Sequence, residues 1–187
     1  KPFLHLATMF SRIVVYFPHP KGVQSEAFAQ LCPAVTLECG KPGGMGGVEH
    51  AASFVEGALH LSDFPVHPVA SQDLELFQSV AVVKVPEMVS LSIGDPAADL
   101  CLIEQIDYYN FRLLDPGTQL GTIAVGSVMP LHVRNDEDLD VGDHYFENRD
   151  GQLLTRRRVM PAMLTRDIRI IRQDCLCYLM ERLDRPF

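Results

Sequence analysis

Pro33-Ala34-Val35-Thr36-Leu37-Glu38-Cys39-Gly40 is the stretch on which the fold turns. Ala34 to Leu37 is short, apolar and partly β-branched, the pattern of a buried strand, and Glu38 ends it. A second such run, Ile13-Val14-Val15-Tyr16-Phe17, lies upstream. Between them, Pro18-His19-Pro20-Lys21-Gly22 reads as a turn and residues 25–31 as two helical turns. Residues 4–12 suit the end of a helix. Downstream, Gly40, Gly43, Gly44, Gly46 and Gly47 make a loop. Residues 48–61 then carry Val48, Ala51, Ala52, Val55, Ala58 and Leu59 at helical spacing, which predicts an amphipathic helix. Strand, helix, strand, helix is the order of a parallel α/β sheet. Two strands and two helices are too few to close a doubly wound sheet, so residues 1–65 read as the C-terminal part of an α/β domain.

Beyond Pro65 and Pro68 the pattern changes. Short β-like runs occupy residues 79–85, 88–93, 100–106, 120–124, 128–133, 159–164, 168–171 and 175–180. Turn-prone pieces separate them: Gly94-Asp95-Pro96, Asp115-Pro116-Gly117, Asp140-Val141-Gly142-Asp143 and Asp150-Gly151. This spacing predicts a small β-barrel or sandwich over residues 66–187. The expected fold is therefore α/β followed by mostly β.

The 187 residues hold 16 Lys+Arg against 24 Asp+Glu, a formal net charge of −8. An acidic chain is a poor non-specific partner for nucleic acid, which needs a cationic surface. No apolar run approaches the roughly 20 residues of a membrane span. Five cysteines, Cys32, Cys39, Cys101, Cys175 and Cys177, include no C-x-x-C pair. That argues against a zinc ribbon and favours buried free thiols and a reducing, cytoplasmic location.

Glu38 is the strongest candidate for chemistry. Ligands of open α/β sheets bind beyond the carboxyl ends of the strands. A carboxylate there, beside a glycine loop that admits a substrate close to the backbone, suits a general base. The alternative is a solvated or ion-paired strand end. The glycine loop has neither the Gly-Lys-Ser/Thr ending nor the G-x-G-x-x-G spacing of a phosphate cradle. Seven histidines, His5, His19, His50, His60, His67, His132 and His144, form no compact ligand motif. His50 and His60 fall about 80° apart on the expected helix, a poor chelate. The acidic run Asp136-Glu137-Asp138 and the run Arg156-Arg157-Arg158 read as solvated surface. Tyr145, at a loop–strand junction, offers a phenol to a substrate carboxylate or oxyanion, or simply lines a barrel rim.

Val35-Thr36-Leu37-Glu38-Cys39-Gly40 resembles the succinylglutamate desuccinylase/aspartoacylase family of zinc-dependent, carboxypeptidase-like amidohydrolases. Its signature is an apolar strand ending Leu/Ile-Glu-x-Gly. Val14-Val15-Tyr16-Phe17-Pro18-His19-Pro20 resembles the family's penultimate strand and turn. Leu113-Leu114-Asp115-Pro116-Gly117-Thr118 resembles a Pro-Gly turn of its C-terminal β domain. The resemblance implies that Glu38 is the general acid/base of amide or ester hydrolysis on an N-acyl amino acid-like small molecule. It implies that zinc supplies Lewis acidity and that Tyr145 binds substrate. The family's zinc ligands come from a Gly-x-His-x-x-Glu segment and a later His, all before the glutamate. No such segment occurs here, so no residue of this chain is assigned to zinc, and the ligands are expected upstream. Residues 23–31 hold no arginine, unlike aspartoacylases. With Lys1 in place of a Met, the chain reads as the C-terminal portion of such an enzyme, inactive alone and open to homo-oligomer formation. The alternatives are a non-enzymatic β-rich module binding a ligand or protein, and a metal-free pseudoenzyme.

Overall fold

A computed structural model describes residues 2–17, 24–40, 43–65 and 67–183. The fold is mixed α/β with mostly β content, and its strands form two five-stranded sheets. The chain divides into two compact units, Lys1–Phe77 with Arg182–Phe187, and Gln78–Glu181.

The first unit holds helix α1 (Pro2–Thr8), strand β1 (Ile13–Tyr16), helix α2 (Gln24–Ala29) and helix α3 (Met45–Leu59). It also holds the start of β2 (Glu75–Lys84), where the Glu75 N–H donates to the Arg12 carbonyl at 2.7 Å. The helix foreseen over residues 48–61 is α3, begun three residues earlier. The expected turn at residues 18–22 lies outside the described residues. The strand foreseen at residues 34–38 is corrected. The segment from Pro33 to Gly40 joins no ladder, and Ala34, Val35 and Leu37 are only half-buried. Apolar β-branched residues favour an extended backbone, but a strand also needs a neighbour to take its N–H and C=O groups. Among the described residues no strand stands beside it.

α3 is fastened by one face. Phe10 packs on His50 (ring centroids 4.3 Å) and edge-on to Phe54 (5.7 Å). His50 Nε2 donates to the Phe10 carbonyl at 2.7 Å, so that ring nitrogen carries the proton. A second apolar stripe, Val48, Val55 and Leu59, faces solvent, and no residue of α3 is buried.

The second unit continues β2 and holds β3 (Leu91–Ile93), β4 (Leu100–Leu102), β5 (Gln119–Ile123), β6 (His132–Arg134) and the short helix α4 (Gly142–Tyr145). β7 (Phe146–Arg149), β8 (Gln152–Thr155), β9 (Met160–Ala162), helix α5 (Ile168–Gln173) and β10 (Cys177–Arg182) follow. One sheet runs β3-β4-β5-β8-β7, with β3 and β4 parallel and the other pairs antiparallel. The other runs β1-β2-β10-β9, with β6 against β2. Val83, Leu100, Leu102, Ile106, Phe146, Leu153, Val159, Leu176 and Leu179 are fully enclosed in one core. Burying such side chains contributes about 1.5–3 kcal/mol each.

The hairpin β7–β8 turns on Asp150 (φ +54°) and Gly151 (φ +79°), with Arg149 opposite Gln152. Two residues at positive φ match the right-handed twist of the strands they join. Asn148 Oδ1 accepts the Gly151 N–H at 3.0 Å. The strand foreseen at residues 168–171 is instead α5. Asp167 Oδ1 accepts the Arg169 N–H at 2.9 Å, capping the helix. Such a cap satisfies an orphan donor of the first turn and selects helix over strand. Residues 88–93 form a strand only at their end, because Pro86 and the turn after it break the run. At β9, Pro161 stands opposite Leu179, and its carbonyl accepts the N–H of Phe111 at 2.9 Å. Asn110 bridges the same region, its amide donating to the Leu164 carbonyl and accepting the Leu164 N–H, both at 2.7 Å.

Candidate functional site

Glu38 lies in the first unit, exposed, at the end of the extended segment. Gly40 follows at φ +89°, a conformation that turns the chain away and that glycine adopts without strain. The Cys39 carbonyl presses on the first turn of α3. A Cβ at Gly47 would sit 1.8 Å from that oxygen, so only glycine fits there. Glu38 is thus carried on a backbone held against a helix start. This geometry can present a carboxylate to a small molecule for proton transfer.

Tyr145 lies in the second unit and is 5% exposed, at the end of α4. Its hydroxyl donates to Glu181 Oε1 at 2.9 Å. The phenol's proton is therefore committed within the protein. Burial first, and then the hydrogen bond and charge of Glu181, push this hydroxyl well above the usual phenol range. Arg157 closes the group. Its Nε lies 3.4 Å from Glu181 Oε1, its guanidinium carbon stands 5.6 Å from the centre of the Tyr145 ring, and Nη1 hydrogen-bonds His144 Nε2. A guanidinium only donates, so His144 Nε2 accepts and bears no proton. The His144 and Tyr145 rings meet edge-on at 5.3 Å.

The arginine run therefore differs from a plain solvated edge. Arg156 donates to the Asp143 carbonyl at 2.9 Å and lies 3.7 Å from Glu147. Arg158 meets Asp115 through two nitrogens at 2.6 and 2.8 Å. Arg157 brings its side chain to the Tyr145–Glu181 pair, while the Arg156 N–H donates to the Tyr145 carbonyl at 2.7 Å. Sequence reasoning did not single out Glu181 or Arg157. A signal existed for the first: in β10, Glu181 shares its face with Cys177 and Leu179, both buried, so a carboxylate there requires a donor.

The other candidates resolve into structure. His5 Nε2 donates to the His67 carbonyl at 2.7 Å, and His50 holds Phe10 as above. Asn135 Oδ1 accepts the N–H groups of Glu137 and Leu139, closing the acidic loop on itself. Cys175 and Cys177 are buried free thiols, and burial pushes Cys175 up to about 11. Among the described residues no three His, Cys, Asp or Glu side chains converge as a metal site. No described helix is long and apolar enough to cross a membrane. Comparison with family models, curated proteins and solved structures gives no match to this chain.

Proposed function

We propose that the chain is the C-terminal portion of a zinc-dependent, carboxypeptidase-like amidohydrolase of the cytoplasm, with Glu38 as its general acid/base and an N-acyl amino acid-like substrate. Its β part would be a barrel or sandwich. The observation that carries this is the place of Glu38: an exposed carboxylate ending an extended apolar segment, beside a positive-φ glycine and against the start of α3. In amide hydrolysis such a carboxylate takes a proton from the attacking water as the C–O bond forms. It returns that proton to the nitrogen as the C–N bond breaks. Among the described residues no zinc site forms; on this proposal an upstream segment supplies the ligands, as the family resemblance implies. The role of Tyr145 in binding substrate is limited on this proposal, because its proton is held by Glu181.

The test is Glu38→Gln in the zinc-loaded enzyme. Loss of general acid/base catalysis lowers kcat about 10²–10⁴-fold, and zinc content stays the same. A near-normal kcat removes Glu38 from the role. Turnover by the 187-residue chain alone would refute its standing as a portion.

One observation favours a second reading. The unit Gln78–Glu181 closes its own core, so it could serve as a binding module with no catalytic partner. Saturable binding of a small molecule or protein without turnover, unaffected by Glu38→Gln, would favour this reading.

A further inference from the structure

We propose that Arg157 and Glu181 form a binding site for a small zwitterion of the α-amino acid type, its carboxylate on Arg157 and its ammonium on Glu181. The inference is independent of the hydrolase proposal, since it concerns binding within the second unit and requires no cleavage.

Both charged groups are accessible and both are half-used. The Arg157 side chain is 41% exposed and that of Glu181 30%. Arg157 engages Glu181 through Nε and His144 through Nη1. Tyr145 and Arg157 both meet Glu181 at Oε1. Among the described residues neither Arg157 Nη2 nor Glu181 Oε2 makes a hydrogen bond. The guanidinium and the carboxylate stand 3.4 Å apart at their nearest atoms, both on partly exposed side chains.

The frame around them is more than an exposed ion pair needs. A solvent-exposed pair contributes only about 0–1 kcal/mol, and ordering an arginine costs up to about 2 kcal/mol of rotamer freedom. Here the ordering is already done: a buried phenol holds Glu181, a ring face supports Arg157 and a histidine nitrogen fixes its terminal nitrogen. Restraint of that kind lowers the cost of ligand binding. Glu181 also sets the ligand's charge. A bare anion on Arg157 meets a carboxylate alongside, and a bare cation on Glu181 meets a guanidinium. A ligand carrying both charges on adjacent atoms satisfies both. Tyr145 and His144 are positioning residues on this account.

The experiment follows amide chemical shifts of the 187-residue chain while glycine, acetate and methylamine are titrated separately. Glycine is expected to give saturable shifts at residues 144, 145, 157 and 181. Its Kd should be at least about tenfold lower than either single-charge probe, a difference of about 1.4 kcal/mol. Arg157→Gln and Glu181→Gln should each weaken glycine at least tenfold, with the remaining spectrum unchanged as the check on folding. Arg158→Gln should leave the affinity unchanged. Acetate binding as tightly as glycine, shifts that do not saturate, or Arg157→Gln and Arg158→Gln behaving alike would each overturn the proposal.

Discussion

The two units spend a similar supply of apolar residues in opposite ways. In Gln78–Glu181 the apolar faces of two sheets close on each other, and Phe146, Leu153 and Leu179 lose almost all contact with water. In the first unit no described residue before Leu74 is buried. Leu59 stays 80% exposed on a helix whose pattern is as regular as any in the chain. Apolar periodicity specifies which face of an element wants cover. It does not specify that the cover lies in the same unit. Cohesion should therefore reside in the second unit.

The largest effect is expected at Phe146. Phe146→Ala should lower unfolding free energy by about 3–5 kcal/mol, whereas Leu59→Ala should change it by less than about 0.5 kcal/mol in denaturant titrations. Equal losses would dissolve the contrast.

Two glycines make the same comparison through backbone. A Cβ at Gly121 would lie 2.4 Å from the Cys101 carbonyl, and one at Gly47 1.8 Å from the Cys39 carbonyl. Gly121→Ala should cost about 1–3 kcal/mol, because the packed sheet cannot yield. Gly47→Ala should displace residues 38–40, read as amide shifts there, with little change in the global transition.

Alkaline pH should act on the second unit next. Cys175 is raised to about 11, by burial first and then by the charge of Asp174. Cys177 and Tyr145 are raised in the same direction, again chiefly by burial. A raised folded pKa means the unfolded state releases its proton first. Stability is thus complete below about pH 9, where an unfolded thiol ionises, and falls as pH rises toward the folded values. Cys177→Ala should flatten that arm in melts at pH 7 to 10.5; an unchanged slope would show that other groups control it.

The smallest effect belongs to Arg158. It and Asp115 are 64% and 68% exposed, so Arg158→Gln should cost less than about 1 kcal/mol, diminishing in salt.

What could be read from the sequence follows from what each element depends on. α3, β2, β5 and β10 were legible because their patterns serve local geometry and burial together. β7 was not: Glu147, Asn148 and Arg149 are polar or half-exposed on an edge strand, and hydropathy is silent there, although Asp150-Gly151 marked the turn. α5 was misread because Ile168, Ile170 and Ile171 look like strand residues, while Asp167, a helix cap, decides otherwise. Glu38 was visible from its neighbours along the chain. The frame around Tyr145 was not, because Arg157 and Glu181 reach it from positions 12 and 36 residues away in sequence. Such pairings come from topology, which no local pattern encodes.

Pro161 has a consequence for self-association. Its carbonyl points away from β10, toward the Phe111 N–H, so its nitrogen faces the same outer side, and that nitrogen carries no hydrogen. The rim of β9 thus offers an arriving strand neither a donor nor a vacant acceptor at its midpoint. That rim resists templating another chain, and the sheet is protected at this end from fibrous growth.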